Sequence, residues 1–532
     1  MKMLKDLTLR LWLVAGLLIP ALPAAAQVDN GQALLEALDV RAFDAKGQAI
    51  DAIINSGDAR ARDWLAALLD GRLQRSKADR RFVLVVSTDG RHWPVLDALS
   101  NDSLGTLGRR ELNRISINNR LRNQLRNALA QLDLHGDDAA LRRASAERLL
   151  GGVDDGLVPT LTALLAQESD RQTRHRLNQA LAIHRLEQGD ITAVETLTGD
   201  LHNEVRIALN RAAAGEGELA EAAGRALADI EQNLRLNRAA ETLYFGLSLG
   251  SVLVLAAIGL AITFGVMGVI NMAHGELIML GAYSTWMLQQ LLPGQPGLAL
   301  LLAIPTGFLV AALTGIAIER GVIRHLKGKP LETLLATFGV SLILQQLVRT
   351  LVSPLNRTVV TPEWMSGSLV VNDALSLTLN RLYVLGFALL VFVALMWVMK
   401  GTRLGLEVRA VTQNRSMARA MGIRATRVDM LTFGLGSGVA GLAGVALSQL
   451  TNVGPNLGQN YIIDSFMVVV FGGVGNLWGT LVAGLSLGVL NQILEPWAGA
   501  VLAKIMVLVF IILFIQKRPR GLFPQKGRAA EG

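Results

Sequence analysis

From Leu243 onward the chain is a succession of apolar segments, near residues 243–264, 268–291, 297–318, 333–352, 382–399, 428–450, 461–475, 477–494 and 499–516. Most approach the roughly 20 residues that carry an α-helix across a bilayer. The expected fold is all-α: a polytopic helical membrane domain of about nine crossings, some broken or short. The first two segments run together through a glycine-rich break and 461–475 is short, so the count of complete crossings stays open by two. Aromatic residues make up only 5% of the chain against 53 glycines, a composition that suits close helix packing in lipid.

Charge divides the chain at the same place. Residues 27–241 carry 28 Lys or Arg against 32 Asp or Glu, and residues 242–532 carry 20 against 10. The net charge of +8 could suggest nucleic acid, but the excess cations bundle into short loops of the apolar half. Membrane topology explains them better, and no nucleic-acid partner is expected. Arg320, Arg324, Lys327 and Lys329 share one loop. Lys400, Arg403, Arg409, Arg415, Arg419, Arg424 and Arg427 share another, against the lone acid Glu407. Lys517, Arg518, Arg520, Lys526 and Arg528 form the tail. All three should face the cytoplasm. Arg349 and Lys504, near the opposite helix ends, are expected to snorkel.

The N-terminus reads as a targeting segment. Lys2, Lys5 and Arg10 precede the apolar stretch Leu11–Ile19, and Ala24-Ala25-Ala26 supplies small residues before Gln27. That order predicts a secretory signal cleaved between Ala26 and Gln27. An exported N-terminus with a cytoplasmic C-terminus requires an odd number of crossings, which nine satisfies. The expected division is a signal peptide at 1–26, a periplasmic helical domain at 27–235, a membrane domain at 236–523 and a cytoplasmic tail at 524–532.

The exported domain reads as mostly helical. The β-type run Phe82–Val86, the turn Thr88-Asp89-Gly90 and a partner strand at Trp93-Pro94-Val95 predict one small β-hairpin. Farther on, Arg142, Arg174 and Arg206 recur every 32 residues, with Asp138 and Asp170 four residues ahead of the first two. Leu149 and Leu181 follow those two by seven. Helix–turn–helix units such as 141–150 and 157–167 are expected to stack in the manner of short HEAT-like repeats.

Enzyme chemistry finds no anchor. With no Cys, disulfides, thiolate metal sites and thiol catalysis are excluded. There is no G-x-x-x-x-G-K-[ST] loop, since Lys327-Gly328-Lys329-Pro330 lacks both the spacing and the hydroxyl. The chain is therefore not expected to hydrolyse ATP. No H-E-x-x-H or G-x-S-x-G occurs, and His175 and His184 lie nine residues apart, off the spacing of a helical ligand pair. No catalytic residue, metal or cofactor is expected in the chain itself.

Two glycine-broken segments carry polar residues. Gly265 to Glu276 contains Asn271, His274 and Glu276, which either line a polar path or form a cytoplasmic turn with a His–Glu contact. Phe471 to Gly479 contains Asn476 and follows the short segment that holds Asp464. The pair resembles the discontinuous helices of transporters, making Asn271, His274, Glu276, Asp464 and Asn476 path candidates. Between spans, the stretch from Leu406 to Met421, bounded by Gly405 and Gly422, predicts a short amphipathic helix. That helix either marks topology or docks on a cytoplasmic partner.

Several motifs now fall into a recognisable order. Asn271-Met272-Ala273-His274-Gly275-Glu276, Gly281-Ala282-Tyr283 and Ile316-Ala317-Ile318-Glu319-Arg320 resemble the branched-chain amino-acid/urea family of ABC importer permeases. Thr402-Arg403-Leu404-Gly405, Arg409-Ala410, Asn414, Ala418 and Met421-Gly422-Ile423 look like its coupling loop. Gly472-Gly473-Val474-Gly475-Asn476 looks like its C-terminal glycine motif. The resemblance covers about 240–523. It implies a bacterial inner-membrane subunit that pairs with a second, related permease, two cytoplasmic ATPase subunits that use ATP, and a periplasmic solute-binding protein. It also implies that Arg409, Ala410, Asn414, Met417, Ala418, Met421 and Gly422 transmit the ATPase stroke. The exported extension is similar to that of the urea-transporter permease, which favours urea over branched-chain amino acids. A secondary transporter or channel with a periplasmic sensing domain is the rival class.

Overall fold

The computed structural model describes residues 30–88, 92–136 and 138–523, and the chain divides into two compact units at 232/233. The signal segment with Ala26 and Gln27, the Asp89-Gly90 turn and the 524–532 tail lie outside the described residues.

In the first unit, helices α1 (Asn30–Leu38), α2 (Phe43–Asn55) and α3 (Ala61–Asp70) precede a sheet, and α4 (Asn119–Leu134) follows it. Leu35, Ile50, Ile53, Trp64, Leu68 and Leu125 form their shared core. The indole N–H of Trp64 donates to the Ala98 carbonyl at 2.6 Å, so the largest buried side chain leaves no orphan donor. The sheet corrects the expectation of a lone hairpin. Strands β1 (Leu73–Ser76), β2 (Phe82–Val85), β3 (His92–Asp97), β4 (Ser103–Gly108) and β5 (Leu112–Arg114) pair antiparallel in the order β4-β3-β2-β1-β5. The expected pairing is present at its centre, Val83 facing Asp97 and Val85 facing Val95. The other strands escaped notice for physical reasons. Leu73-Gln74-Arg75-Ser76 has a single apolar residue, and β4 is a mostly exposed edge with two glycines.

Helix pairs follow: α5 (Ala139–Arg148) with α6 (Val158–Gln167), and α7 (Arg171–Glu187) with α8 (Thr192–Leu197). Next come α9 (Asn203–Ala213) and α10 (Glu218–Met267). The 32-residue period marks helix starts. Asp138, Asp170 and His202 are N-caps whose side chains accept from the backbone N–H of Ala140, Thr173 and Glu204. Arg142 donates to both oxygens of Glu168, at 2.9 and 3.1 Å, joining α5 to the turn ahead of α7. That hydrogen bond, against the opposing effect of burial, holds the Glu168 carboxyl below the usual range.

In the second unit each apolar segment is a helix. After α10 come α11 (His274–Leu291), α12 (Pro296–Gly321), α13 (Pro330–Leu351), α14 (Leu379–Gly401), α17 (Ala425–Ser448), α18 (Leu457–Gly472), α19 (Leu477–Ala498) and α20 (Ala500–Lys517). Two short helices, α15 (Arg403–Gln413) and α16 (Arg415–Ala420), lie between α14 and α17. Seven of the described helices are long and apolar enough to cross a membrane; α11 and α18 are not among them, α18 being shorter at 16 residues. A second hairpin, β6 (Ser368–Asn372) with β7 (Leu375–Thr378), lies in the 353–381 connection, where the sequence reading named no strand.

Glycines set how closely these helices approach. A Cβ on Gly250 of α10 would lie 2.7 Å from the Leu485 Cα of α19. One on Gly281 of α11 would strike the Gly441 backbone of α17, and one on Gly444 would strike Ile278. Lipid gives apolar side chains no reason to leave it, so close backbone contact supplies the dispersion energy that holds such helices together. Helices α10 and α17 occupy the interior, while α13, α14 and α20 keep leucine-rich faces outward, with Leu335 70% and Leu390 65% exposed.

Candidate functional site

The break after α10 is a short non-helical passage. Gly268 takes φ +65°, which ends α10, and the chain stays non-helical until α11 begins at His274. Asn271 Oδ1 accepts from the Ala273 N–H at 3.0 Å, and Thr337 Oγ1 of α13 accepts from the Met272 N–H at 3.2 Å. His274 is fully buried, with Nε2 2.8 Å from the Ala256 carbonyl of α10. Glu276 is 1% exposed, and its Oε1 accepts from Ser341 Oγ at 2.9 Å and Gln345 Nε2 at 2.7 Å, both on α13.

The His–Glu contact expected of a structural turn does not form. The two side chains point to different helices, and neither bonds the other. Three polar atoms here stay without hydrogen-bond partners: Asn271 Nδ2, His274 Nδ1 and Glu276 Oε2. Orphaned polar atoms in a packed interior are costly and need a reason to persist. A polar solute or water passing between α10, α11 and α13 would supply partners. Ser341 and Gln345 were missed in the sequence; their spacing of four places both on one face of α13.

The remaining path candidates do not gather here. Asp464 on α18 is buried and ion-paired with Lys504 of α20 at 3.0 Å. Lys504 thus pairs rather than only snorkelling, and Arg349 donates to Asn456 Oδ1 at 2.7 Å. Asn476 caps α19, accepting from Gly479 N–H at 3.2 Å and donating to the Phe523 carbonyl at 3.1 Å. Both ends of its side chain are satisfied.

The 402–422 stretch corrects another expectation. It is two helices, because Asn414 adopts extended backbone and its Oδ1 accepts from Met417 N–H at 2.9 Å, capping α16. Arg409 donates to the Met399 carbonyl, and Gly422, at φ +87°, ends α16. Ala418 is buried, and Ala410 is partly so, among Val408, Val411 and Val428. Neither is a free docking surface. Leu406, Met417 and Met421 are the exposed apolar residues, 61%, 60% and 77% accessible among cations.

Beneath that loop lies a buried acidic pair to which the sequence reading gave no role. Asp429 of α17 has no exposed side-chain surface and accepts from both Lys327 and Arg415. Glu319 of α12, 1% exposed, sits 3.9 Å from the same Lys327 and 3.8 Å from Arg320. Arg415 thus fastens α16 to α17, and Lys327 ties α12 to that anchor. Asp429 was findable as the lone acid of the 428–450 apolar segment. Among the described residues no cluster of three His, Asp or Glu side chains is placed to hold a metal.

With this geometry in hand, known proteins give a consistent comparison. A family described as "Branched-chain amino acid transport system / permease component" matches residues 242–515. The high-affinity branched-chain amino acid transport system permease protein LivH of Escherichia coli strain K12 is 29% identical over 299 residues, covering 53% of this chain and 94% of that protein. The permease protein BraD of the corresponding system in Pseudomonas aeruginosa is 30% identical over 290 residues, covering 52% of this chain and 93% of BraD. The ribose import permease protein RbsC of Escherichia coli strain K12 is 27% identical over 199 residues, 36% of this chain and 58% of RbsC. No solved structure matches the chain. This chain belongs to the branched-chain amino acid transport system permease component family.

Proposed function

We propose that the chain is the membrane-spanning permease subunit of an ATP-driven importer in a bacterial inner membrane. Nine crossings would leave the first unit, with its HEAT-like helix pairs, in the periplasm and the C-terminus in the cytoplasm. A second related permease, two cytoplasmic ATPase subunits and a solute-binding protein would complete the machine. The observation that carries the reading is Glu276: a carboxylate buried in a bundle of spanning-length helices, with one oxygen held by Ser341 and Gln345 and the other free. The exposed apolar face of Leu406, Met417 and Met421, beside the Asp429 anchor, supports docking of an ATPase at α15 and α16.

Branched-chain amino acids are the favoured cargo, in line with the names of the LivH and BraD relatives. Urea is a second reading, supported by the first unit: these relatives are covered almost end to end by about half of this chain, which leaves that unit as an addition. Uptake of labelled leucine and labelled urea in cells lacking this gene, with ATPase pull-down on the tagged chain, tests both. Loss of leucine uptake with recovery of an ATPase subunit is expected. Unchanged uptake of both solutes, with no ATPase recovered, would refute the permease reading.

A further inference from the structure

The basic loops hold one concentration of cations that the Asp429 anchor does not use. An open recess of about 550 Å³ lies where α12 ends and α17 begins. Arg320, Arg419, Arg424 and Arg427 line it together with Thr426, and no carboxylate does. The two buried acids of the anchor are engaged elsewhere: Asp429 accepts from Lys327 and Arg415, and Glu319 lies 3.9 Å from Lys327. Arg320 comes within 3.8 Å of Glu319 and donates to the Met430 sulfur at 3.1 Å. The side chains of Arg419, Arg424 and Arg427 make no hydrogen bond or ion pair among the described residues. Like charges gathered in one recess repel, and an anion seated among them removes that cost. Planar guanidinium forks match phosphate oxygens in particular.

The surface beyond the recess says which anion. Helices α12 and α17 are both of spanning length, and the recess sits at the end they share, where hydrocarbon gives way to water. One turn into α17 from Arg427 lies Leu431, 42% exposed, and two turns back along α12 from Arg320 lies Leu313, 63% exposed. Spacings of four and seven put each leucine on the face of its arginine, about 6 and 10 Å deeper. A cationic mouth thus runs on into an apolar face. An acidic peptide would match the mouth and leave the leucines bare. A phospholipid matches both.

We propose that this recess binds an anionic phospholipid of the cytoplasmic leaflet, with its phosphate among the four arginines and its acyl chains along Leu313 and Leu431. The lipid joins α16, which carries Arg419, to the ends of α12 and α17. The inference takes from the proposed function only that these helices span a membrane; it needs neither the cargo nor the ATPase.

The chain has no cysteine, so Ala317→Cys, exposed on α12 between Leu313 and Arg320, accepts a single fluorophore. The test places the full labelled chain in phosphatidylcholine vesicles and titrates quenching by bromine-tailed phosphatidylglycerol or bromine-tailed phosphatidylcholine. Phosphatidylglycerol should quench about tenfold more readily, and Arg424→Gln and Arg427→Gln should each cut that preference about fivefold. Lys400→Gln and Arg403→Gln remove the same charge from the same loop outside the recess and should leave the preference unchanged. Equal quenching by the two lipids, or an equal loss in the Lys400 and Arg403 variants, overturns the site. Displacement of the lipid by inorganic phosphate overturns it as well, in favour of a free anion. If the arginine variants keep the lipid preference but lose ATPase pull-down, the recess belongs to the ATPase and the lipid site is wrong. Release of the chain from vesicles by alkaline carbonate would instead overturn the spanning reading, and the lipid site with it.

Discussion

The two glycine-broken segments of the membrane unit look alike in sequence and differ in what they leave unsatisfied. Around 472–479 the Asn476 side chain is occupied at both ends: it caps α19 with its oxygen and bonds Phe523 with its nitrogen. Around 268–276 the polar residues are more deeply buried, yet Asn271, His274 and Glu276 each keep an atom without a partner. A glycine break on its own therefore says only that the backbone turns. Buried polar groups left without partners, beside others held firmly, are what the proposed solute path rests on.

The largest expected effect erases the difference between the two breaks. Gly275→Val would drive a side chain into the Gly458 backbone, and Gly472→Val would do the same to Gly479. Both variants should lose folded protein from the membrane, read as recovery in mild detergent. If Gly275→Val accumulated normally, helices α11 and α18 would not approach as closely as described.

The next effect separates them. Glu276→Gln should leave membrane levels unchanged but cut uptake about tenfold or more, the scale of a lost charge-assisted hydrogen bond. Asn476→Ala should do the reverse, costing about 1 kcal/mol of stability through the lost cap with uptake per folded molecule near normal. Glu363→Gln is the control: its side chain is exposed in the 353–381 connection, and uptake should not change.

Much of the membrane unit was legible because long apolar runs leave few alternatives, and all nine segments became helices. The site was legible only in part. Asn271, His274 and Glu276 announced themselves as polar residues in an apolar stretch. Their partners Ser341 and Gln345 did not, since hydroxyl and amide side chains are unremarkable on a helix until a buried carboxylate faces them. Ala418 was misread for a related reason: sequence shows that a residue is small, and only packing shows whether it is free or filling a core. Strand β4 hid because an edge strand buries too few side chains to leave an alternating pattern, and β1 hid because its interior positions are filled by Gln74, Arg75 and Ser76 rather than apolar residues.

A smaller effect concerns the first unit, where the 32-residue period marked caps. Because Arg142 depresses the Glu168 carboxyl, its contribution to stability is present above the unfolded value and is lost as pH falls through the folded one. Amide protection in α5 and α7, corrected for the intrinsic exchange rate at each pH, should therefore fall on acidification, with Glu168→Gln already less protected at neutral pH. Equal exchange in variant and parent at neutral pH would show that the ion pair does not hold these helices.

The most direct test of the contrast between the breaks is ATP-dependent solute uptake by the assembled importer in proteoliposomes, comparing Glu276→Gln with Asn476→Ala at equal permease content. Loss of uptake in Glu276→Gln with near-normal uptake in Asn476→Ala is the predicted result. Equal uptake in both would contradict the placing of Glu276 on the solute path, leaving its bonds to Ser341 and Gln345 as structure alone.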